Sequence, residues 1–176
     1  MTILPLYYGG LFVEQYIFEL LAINHLHMKV SNYEPTHVML AEDDDEDYLV
    51  FSLAINELSF TVVLTRAENG DILLKLLDEK HPDILFLDLL MPCRDGRQCL
   101  KEIRANRKFD SIPIIVYTSL SDLKEVEFCY REGSNLYAIK PTSLDELKTI
   151  LTKILTIDWK KLLYFPPRSQ FVINPQ

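Results

Sequence analysis

The sequence lacks a block of basic residues. Its 18 lysines and arginines are outnumbered by 26 aspartates and glutamates, which gives a formal net charge of -8. Nucleic-acid binding depends on Lys and Arg side chains that displace counterions from the phosphates. The composition therefore predicts that nucleic acid is not a partner of this protein.

Cysteine is also scarce. The three cysteines, Cys93, Cys99 and Cys129, form no CxxC pair, and their number is odd. Disulfide frameworks and zinc sites use paired cysteines at short spacings. We therefore expect free thiols in a reducing compartment, and a cytoplasmic location.

Signals for export or membrane insertion are missing from the N-terminal part of the sequence. The first 28 residues contain no Lys or Arg, whereas a secretory signal begins with a basic region. Glu14 and Glu19 interrupt their apolar run, whereas a spanning helix needs about 20 apolar residues. We expect no membrane partner. Two alternatives stay open for this extension, residues 1–35: a helix that packs on the domain or on a partner, or upstream sequence before a natural start at Met28.

Regular alternation begins near residue 36. Short apolar runs of strand length, without polar alternation, alternate with amphipathic helical stretches. The runs cover residues 38–40, 60–64, 84–87, 114–117 and 136–139. Apolar runs of this kind are typical of parallel strands buried on both faces. Five such βα units predict an α/β fold: a doubly wound, five-stranded parallel sheet with helices on both faces.

Two helix starts have capping residues. Asn69 precedes the second amphipathic stretch and can cap a helix there. Ser143, followed three residues later by Glu146, has the spacing of a capping box at the start of the last stretch.

Acidic side chains follow two of the predicted strands. Glu42 and Asp43 come at the end of the first strand, and Asp88 follows the third. Ligands of doubly wound sheets bind beyond the carboxyl ends of the strands, so these carboxylates are expected in one pocket. Two like charges 4 Å apart repel by about 4 kcal/mol at an effective dielectric constant of 20. A divalent cation such as Mg²⁺, which prefers oxygen ligands, is the natural compensating charge, and Lys140 can supply another.

Thr118 ends the fourth predicted strand and brings a hydroxyl to the same edge. A threonine in a strand is by itself ordinary, because β-branched residues favour strands. The specificity of the prediction comes from four strand ends that carry suitable side chains together.

Four segments carry a resemblance to a known family. They are residues 39–44, 87–92 with 95–96, 112–119 and 137–141. Together they resemble the receiver domains of bacterial response regulators over residues 36–157. The resemblance implies a flavodoxin-like sheet of strand order 2-1-3-4-5. It also implies that the domain accepts a phosphoryl group from a sensor histidine kinase and signals through changed protein contacts, without turning over a separate substrate.

The resemblance also assigns roles to individual residues. It makes Asp88 the phosphoacceptor and gives Mg²⁺ four ligands: the carboxylates of Glu42, Asp43 and Asp88 and the backbone carbonyl of Leu90. Thr118 and Lys140 would contact the phosphoryl group. Thr118 and Tyr137 would form the conformational switch, because the aromatic residue turns inward on phosphorylation. The Lys140–Pro141 peptide bond is expected to be cis.

A narrower resemblance concerns the acidic run and the end of the chain. These features are similar to the single-domain regulators associated with phytochrome-type histidine kinases. In that group the tail, here residues 158–176, supports dimer contacts. We therefore expect a homodimer formed through the last helix and the tail, and a phytochrome-type kinase as partner.

Two other function classes were compared with this one. A phosphatase of the haloacid dehalogenase type also uses an Asp after a buried strand, but it needs a second carboxylate two residues later. Position 90 is Leu. A pure interaction module would not need the acidic residues at the strand ends.

Overall fold

The structure is a computed structural model that describes residues 34–159, 166–173 and 175. Both alternatives for the N-terminal extension concern residues outside this range. Within the described part of the chain, no helix combines the length and apolar character needed to cross a membrane.

Five βα units follow one another and a short helix and strand come after them. The strands are β1 (Thr36–Ala41), β2 (Val62–Ala67), β3 (Ile84–Leu87), β4 (Ile114–Thr118), β5 (Leu136–Ile139) and β6 (Val172–Ile173). The α-helices are α1 (Asp45–Glu57), α2 (Gly70–Glu79), α3 (Gly96–Ala105), α4 (Leu123–Arg131), α5 (Leu144–Leu155) and α6 (Arg168–Phe171). A short 3₁₀ turn, Arg107–Phe109, precedes β4.

The strands form one sheet in the order β2-β1-β3-β4-β5-β6, and every neighbouring pair is parallel. The predicted flavodoxin-like order of the first five strands is confirmed. The order reverses at β1, so that β2 and β3 lie on either side of it. This reversal opens a crevice beyond the carboxyl ends of β1 and β3, where such sheets bind their ligands.

Two apolar cores cover the two faces of the sheet. On one face α1 and α5 pack against side chains such as Leu40, Phe86 and Ile115. On the other face α2, α3 and α4 pack against side chains such as Met39 and Leu85. Alternate strand residues enter opposite cores, as the two-residue period of a strand requires. The central strands are therefore apolar on both faces.

The two predicted helix caps are present. The Asn69 side chain accepts a hydrogen bond of 2.9 Å from the backbone N–H of Ile72 at the start of α2. Ser143 Oγ accepts one of 3.3 Å from the backbone N–H of Glu146 at the start of α5. Each bond satisfies a backbone donor that has no partner inside its helix.

Two strands differ from the prediction. The run at residues 60–64 predicted β2, but the strand extends from Val62 to Ala67. Because β2 lies at the edge of the sheet, it accommodates the polar residues Thr65 and Arg66, which an apolar run excludes. The sixth strand was not predicted, since a strand of two residues has no recognisable periodicity.

The prediction of a cis Lys140–Pro141 bond is wrong in this structure. The described residues contain no cis peptide bond. For a bond preceding proline the trans form is favoured by about 0.5–1 kcal/mol. From the trans backbone, Lys140 Nζ already lies 2.8 Å from Asp88 Oδ2. A cis turn is therefore not needed to direct this side chain into the crevice.

Candidate functional site

Backbone hydrogen bonds bring the predicted strand ends together. The N–H of Asp88 donates to the carbonyl of Ala41 at 3.1 Å, which joins the end of β3 to that of β1. The N–H of Lys140 donates to the carbonyl of Thr118 at 2.8 Å, which joins the end of β5 to that of β4. The chemically active side chains therefore surround one crevice at the carboxyl edge of the sheet.

Three carboxylates meet in this crevice. One oxygen each from Glu42, Asp43 and Asp88 lies within 4.8 Å of the others. Glu42 is 1% exposed and Asp88 is 4% exposed, whereas Asp43 lies at the surface. Burial raises the pKa of Glu42 to about 7, because a desolvated carboxylate is costly to ionise. Positive charge is needed to keep this group ionised.

Lys140 supplies part of that charge. Its Nζ lies 2.7 Å from Glu42 Oε2, 2.8 Å from Asp88 Oδ2 and 2.7 Å from Asp47 Oδ2. Burial alone would lower the pKa of Lys140. Hydrogen bonds to the three carboxylates outweigh this effect, and the pKa is raised. The lysine is therefore a fixed cation.

Asp47, in the first turn of α1, is a residue of the crevice that was not predicted from the sequence. Its carboxylate is half exposed and pairs with Lys140. The residues are 93 positions apart. An aspartate at this position of an acidic run is typical of the first turn of a helix, and nothing in the neighbouring sequence indicates a contact with Lys140. The fourth carboxylate could therefore not be inferred from local sequence.

The backbone around Asp88 fixes the position of its side chain. Asp88 Oδ1 accepts a hydrogen bond of 3.1 Å from the N–H of Leu90, and Oδ2 faces Lys140. Gly96 packs against the Asp88 carbonyl so closely that a Cβ atom would collide with it. The glycine therefore permits α3 to begin directly beside the loop that carries Asp88.

Thr118 and Tyr137 occupy the adjoining strand ends. Thr118 is 0% exposed, and its hydroxyl has no hydrogen-bond partner among the described residues. An unpaired buried hydroxyl costs free energy unless a ligand completes it. Tyr137 is buried on β5, and its hydroxyl donates to the carbonyl of Leu120 at 2.9 Å. The ring therefore lies inward, and the hydroxyl is tied to the loop that follows Thr118.

The donor set fits a small, hard divalent cation. Such ions are bound by a few carboxylates and keep several water ligands. Glu42, Asp43 and Asp88 supply oxygen atoms at the required proximity, and Asp43 leaves the group open to solvent. Leu90, whose carbonyl the resemblance assigns as a further ligand, lies two residues after Asp88 at the rim, with its side chain 49% exposed.

A family model described as the response regulator receiver domain matches residues 38–152. The match covers more than half of the chain and includes each of the strand ends described above. The chain belongs to the response regulator receiver domain family. It is therefore a receiver of two-component signalling, a class of domain that acts as phosphoacceptor for a histidine kinase.

Sequence relatives of this receiver are response regulators of greater length. The probable C4-dicarboxylate response regulator DctR of Halalkalibacterium halodurans is 34% identical over 117 residues, which are 66% of this chain and 50% of DctR. The chain thus spans about half the length of this relative, and 60% of that of the Bacillus subtilis transcriptional regulatory protein CitT.

Solved receiver structures share the fold. The phosphorylated cyanobacterial phytochrome response regulator RcpA is 23% identical, with a TM-score of 0.65 over 69% of this chain and 91% of RcpA. The Mn²⁺-bound form of the response regulator Rcp1 is 24% identical, with a TM-score of 0.65 over 76% of this chain and 100% of Rcp1. At these identities the likeness concerns the fold alone.

Proposed function

We propose that this receiver accepts a phosphoryl group on Asp88 from a sensor histidine kinase in a Mg²⁺-dependent reaction. The observation that carries the proposal is the position of the Asp88 carboxylate, which lies between Glu42, Asp43 and Lys140 at the end of β3. The proposed output is a change in protein–protein contacts. The protein is then a phosphoacceptor rather than an enzyme that turns over a separate substrate.

The chemical step is displacement at phosphorus. An oxygen of Asp88 attacks the phosphorus of the kinase phosphohistidine, a P–O bond forms and the P–N bond breaks. The electron pair of the broken bond stays on the histidine nitrogen. Catalysis of such a transfer consists mainly of positioning and of neutralising charge on the phosphoryl oxygens. Glu42, Asp43, Asp88 and the Leu90 carbonyl would hold Mg²⁺, which would supply a divalent charge to neutralise those oxygens.

The remaining residues act on the product. Lys140, already a buried cation beside Asp88, pairs with the added phosphoryl oxygens. Thr118 donates its unpaired hydroxyl to one of them and thereby gains the partner that it lacks among the described residues. A shift of Thr118 alters the loop up to Leu120, whose carbonyl accepts from Tyr137. Tyr137, although buried, is therefore coupled to the loop that phosphorylation would move.

The proposed partners follow from the same site and from the fold. A histidine kinase is the donor, and its phytochrome type is supported by the likeness to the phytochrome regulator fold. A homodimer through α5 and the tail is proposed from the apolar residues that continue from α5 into the tail, such as Ile157, Trp159 and Leu162. The net charge of -8 supports the proposal that this chain does not bind nucleic acid. Free cysteines support a cytoplasmic location.

Labelling with a small phosphodonor tests the function. Acetyl phosphate with Mg²⁺ is expected to add one phosphoryl group to the native chain, as seen by intact mass spectrometry. Chelation of Mg²⁺ or the Asp88→Asn substitution is expected to abolish the addition. Asp78→Asn, which removes an exposed carboxylate paired with Lys108, is the matched control and is expected to label normally. Equal labelling of Asp88→Asn and the native chain would refute the assignment.

A further inference from the structure

Arg66 lies next to the acidic residues of the site without belonging to the predicted set. It occupies the penultimate position of β2, in register with Leu40 of the neighbouring β1. The register places Arg66 at the same carboxyl edge of the sheet as Glu42 and Asp43. Its side chain is only 15% exposed, although the strand is at the sheet edge.

The guanidinium group contacts three residues of the acidic run. Its Nε donates to the carbonyl of Glu42 at 3.0 Å, and its Nη2 donates to the carbonyl of Asp43 at 2.8 Å. Its Nη1 lies 2.6 Å from Asp45 Oδ1. The group also lies over the ring of Tyr48, 4.7 Å from the ring centre. All three guanidinium nitrogens are thus engaged with the loop after β1 and the first turns of α1.

These bonds fix the backbone of two proposed metal ligands. A guanidinium is planar, and its donors form a rigid fork, so two carbonyls bound together are held at a set separation and angle. The direction of a short carboxylate side chain follows its own backbone. Removal of a group that orients metal ligands in this way commonly lowers the metal affinity by 10-fold or more.

We propose that Arg66 is a positioning residue for the divalent cation, holding the backbone of Glu42 and Asp43 so that their carboxylates face it. The proposal rests on the proposed function and deepens it by adding a residue from β2. Arg66 acts through Glu42 and Asp43 and does not touch the reacting atoms.

Charge repulsion by Arg66 would change the Mg²⁺ affinity in the opposite direction, so measuring that affinity distinguishes repulsion from positioning. Arg66 is a cation near a cation site, and charge repulsion alone would weaken metal binding. Replacing Arg66 by Gln would then tighten binding, and Arg66→Lys, which keeps the charge, would change nothing. Positioning predicts the reverse: both substitutions weaken binding, because neither side chain reproduces the planar fork.

Calorimetric titration of the metal-free full chain with Mg²⁺ measures the effect directly. We expect Arg66→Lys and Arg66→Gln to raise the dissociation constant about tenfold. Arg94→Gln is the matched control, since Arg94 is a partly buried arginine that pairs with Asp71 and Glu102. It is expected to bind Mg²⁺ as the native chain does. The rate of labelling by acetyl phosphate should fall strongly at low Mg²⁺ and recover at saturating Mg²⁺ in the Arg66 variants.

Thermal melting of each variant separates positioning from a loss of folding. A purely structural role would lower the melting temperature and leave the Mg²⁺ dissociation constant of the folded protein unchanged, which overturns the proposal. Tighter binding by Arg66→Gln overturns it as well. If the native chain binds Mg²⁺ and is labelled while both Arg66 variants bind equally well, only the role of Arg66 fails. If the native chain neither binds Mg²⁺ nor is labelled, the proposed function fails too.

Discussion

The acidic residues from Glu42 to Asp47 have different roles in the structure. Glu42 and Asp43 face the crevice, and the Asp44 side chain caps α1 by accepting from the backbone N–H groups of Glu46 and Asp47. Asp45 pairs with Arg66, and Asp47 pairs with Lys140. Acidic side chains in the first turn are also favoured by the helix dipole. Six neighbouring negative charges are thus tolerated because Lys140, Arg66 and the backbone N–H groups of α1 compensate several of them.

Leu90 and Leu120 are predicted to prolong the lifetime of the phosphorylated form. They lie two residues after Asp88 and two residues after Thr118, where polar side chains could orient an attacking water. Leucine offers no hydrogen bond and shields the acyl phosphate. Loss of one such bond costs on the order of 1–2 kcal/mol, about a tenfold change in rate. Leu90→Asn and Leu120→Glu are therefore each expected to speed decay about tenfold after the phosphodonor is removed.

The surroundings of Leu90 and Leu120 determine which control variant is suitable. The Leu90 side chain is 49% exposed, so its substitution leaves the core intact, whereas Leu120 is partly buried against the core. Leu123→Asn changes an exposed leucine at the start of α4 and is expected to leave the decay rate unchanged. The hypothesis is wrong if neither Leu90→Asn nor Leu120→Glu decays faster than this control.

Residues at strand ends could be predicted from sequence, and residues that reach across the crevice could not. Glu42, Asp88 and Lys140 each follow an apolar strand, and the parallel arrangement alone brings them together. Arg66 and Asp47 join the crevice through long-range contacts, with separations of 24 and 93 residues in the chain. Such contacts depend on side-chain conformation and sheet register, which a local pattern does not contain.

Among the elements, strands buried on both faces were predicted most accurately. The runs at residues 84–87 and 136–139 coincide with β3 and β5, because the cores on both faces require apolar residues throughout. The predicted position of the edge strand β2 began two residues too early, because its second half contains the polar residues Thr65 and Arg66 and so lies outside the apolar run. The short β6 pairs with β5 through Tyr137 and Ala138, and its two residues are too few to show a strand period in the sequence.

Phe171 is predicted to hold α6 and β6 on the domain. Its side chain is fully buried, with its ring centre 5.0 Å from that of Tyr130 and 6.2 Å from that of Tyr137. Phe171→Ala removes these contacts, and truncation of a buried Phe costs about 3–5 kcal/mol. We expect a loss of about 3 kcal/mol in the free energy of unfolding, measured in urea. Ser169→Ala, at an exposed position of the same helix, is the control. Equal stability of the two variants would mean that the tail is not docked.

At the scale of the whole molecule, the two apolar cores followed from the sequence pattern and the sheet order followed from the family resemblance, but the environment of α5 followed from neither. The last helix, α5, was expected to form a dimer contact together with the tail. Instead Leu147, Ile150, Leu151 and Ile154 are buried against the sheet. Trp159 is partly buried, and its indole N–H donates to the carbonyl of Ile154 at 3.1 Å. An amphipathic pattern indicates that one face of a helix is buried. It does not show whether the domain's own sheet or a second copy of the chain buries that face.

The predicted self-association through α5 and the tail therefore depends on the tail and on the sheet edge, because the apolar stripe of α5 is already buried. In the described chain β6 ends the sheet with two residues, and an edge strand offers backbone groups that can pair with another copy. Residues 162–165, which add to the apolar group of the tail, lie outside the described residues. We expect light scattering to give the mass of two chains, and a chain ending at Trp159 to give the mass of one. A native mass of one chain at every concentration, with and without acetyl phosphate, would contradict the prediction and leave the tail as a cover for its own domain.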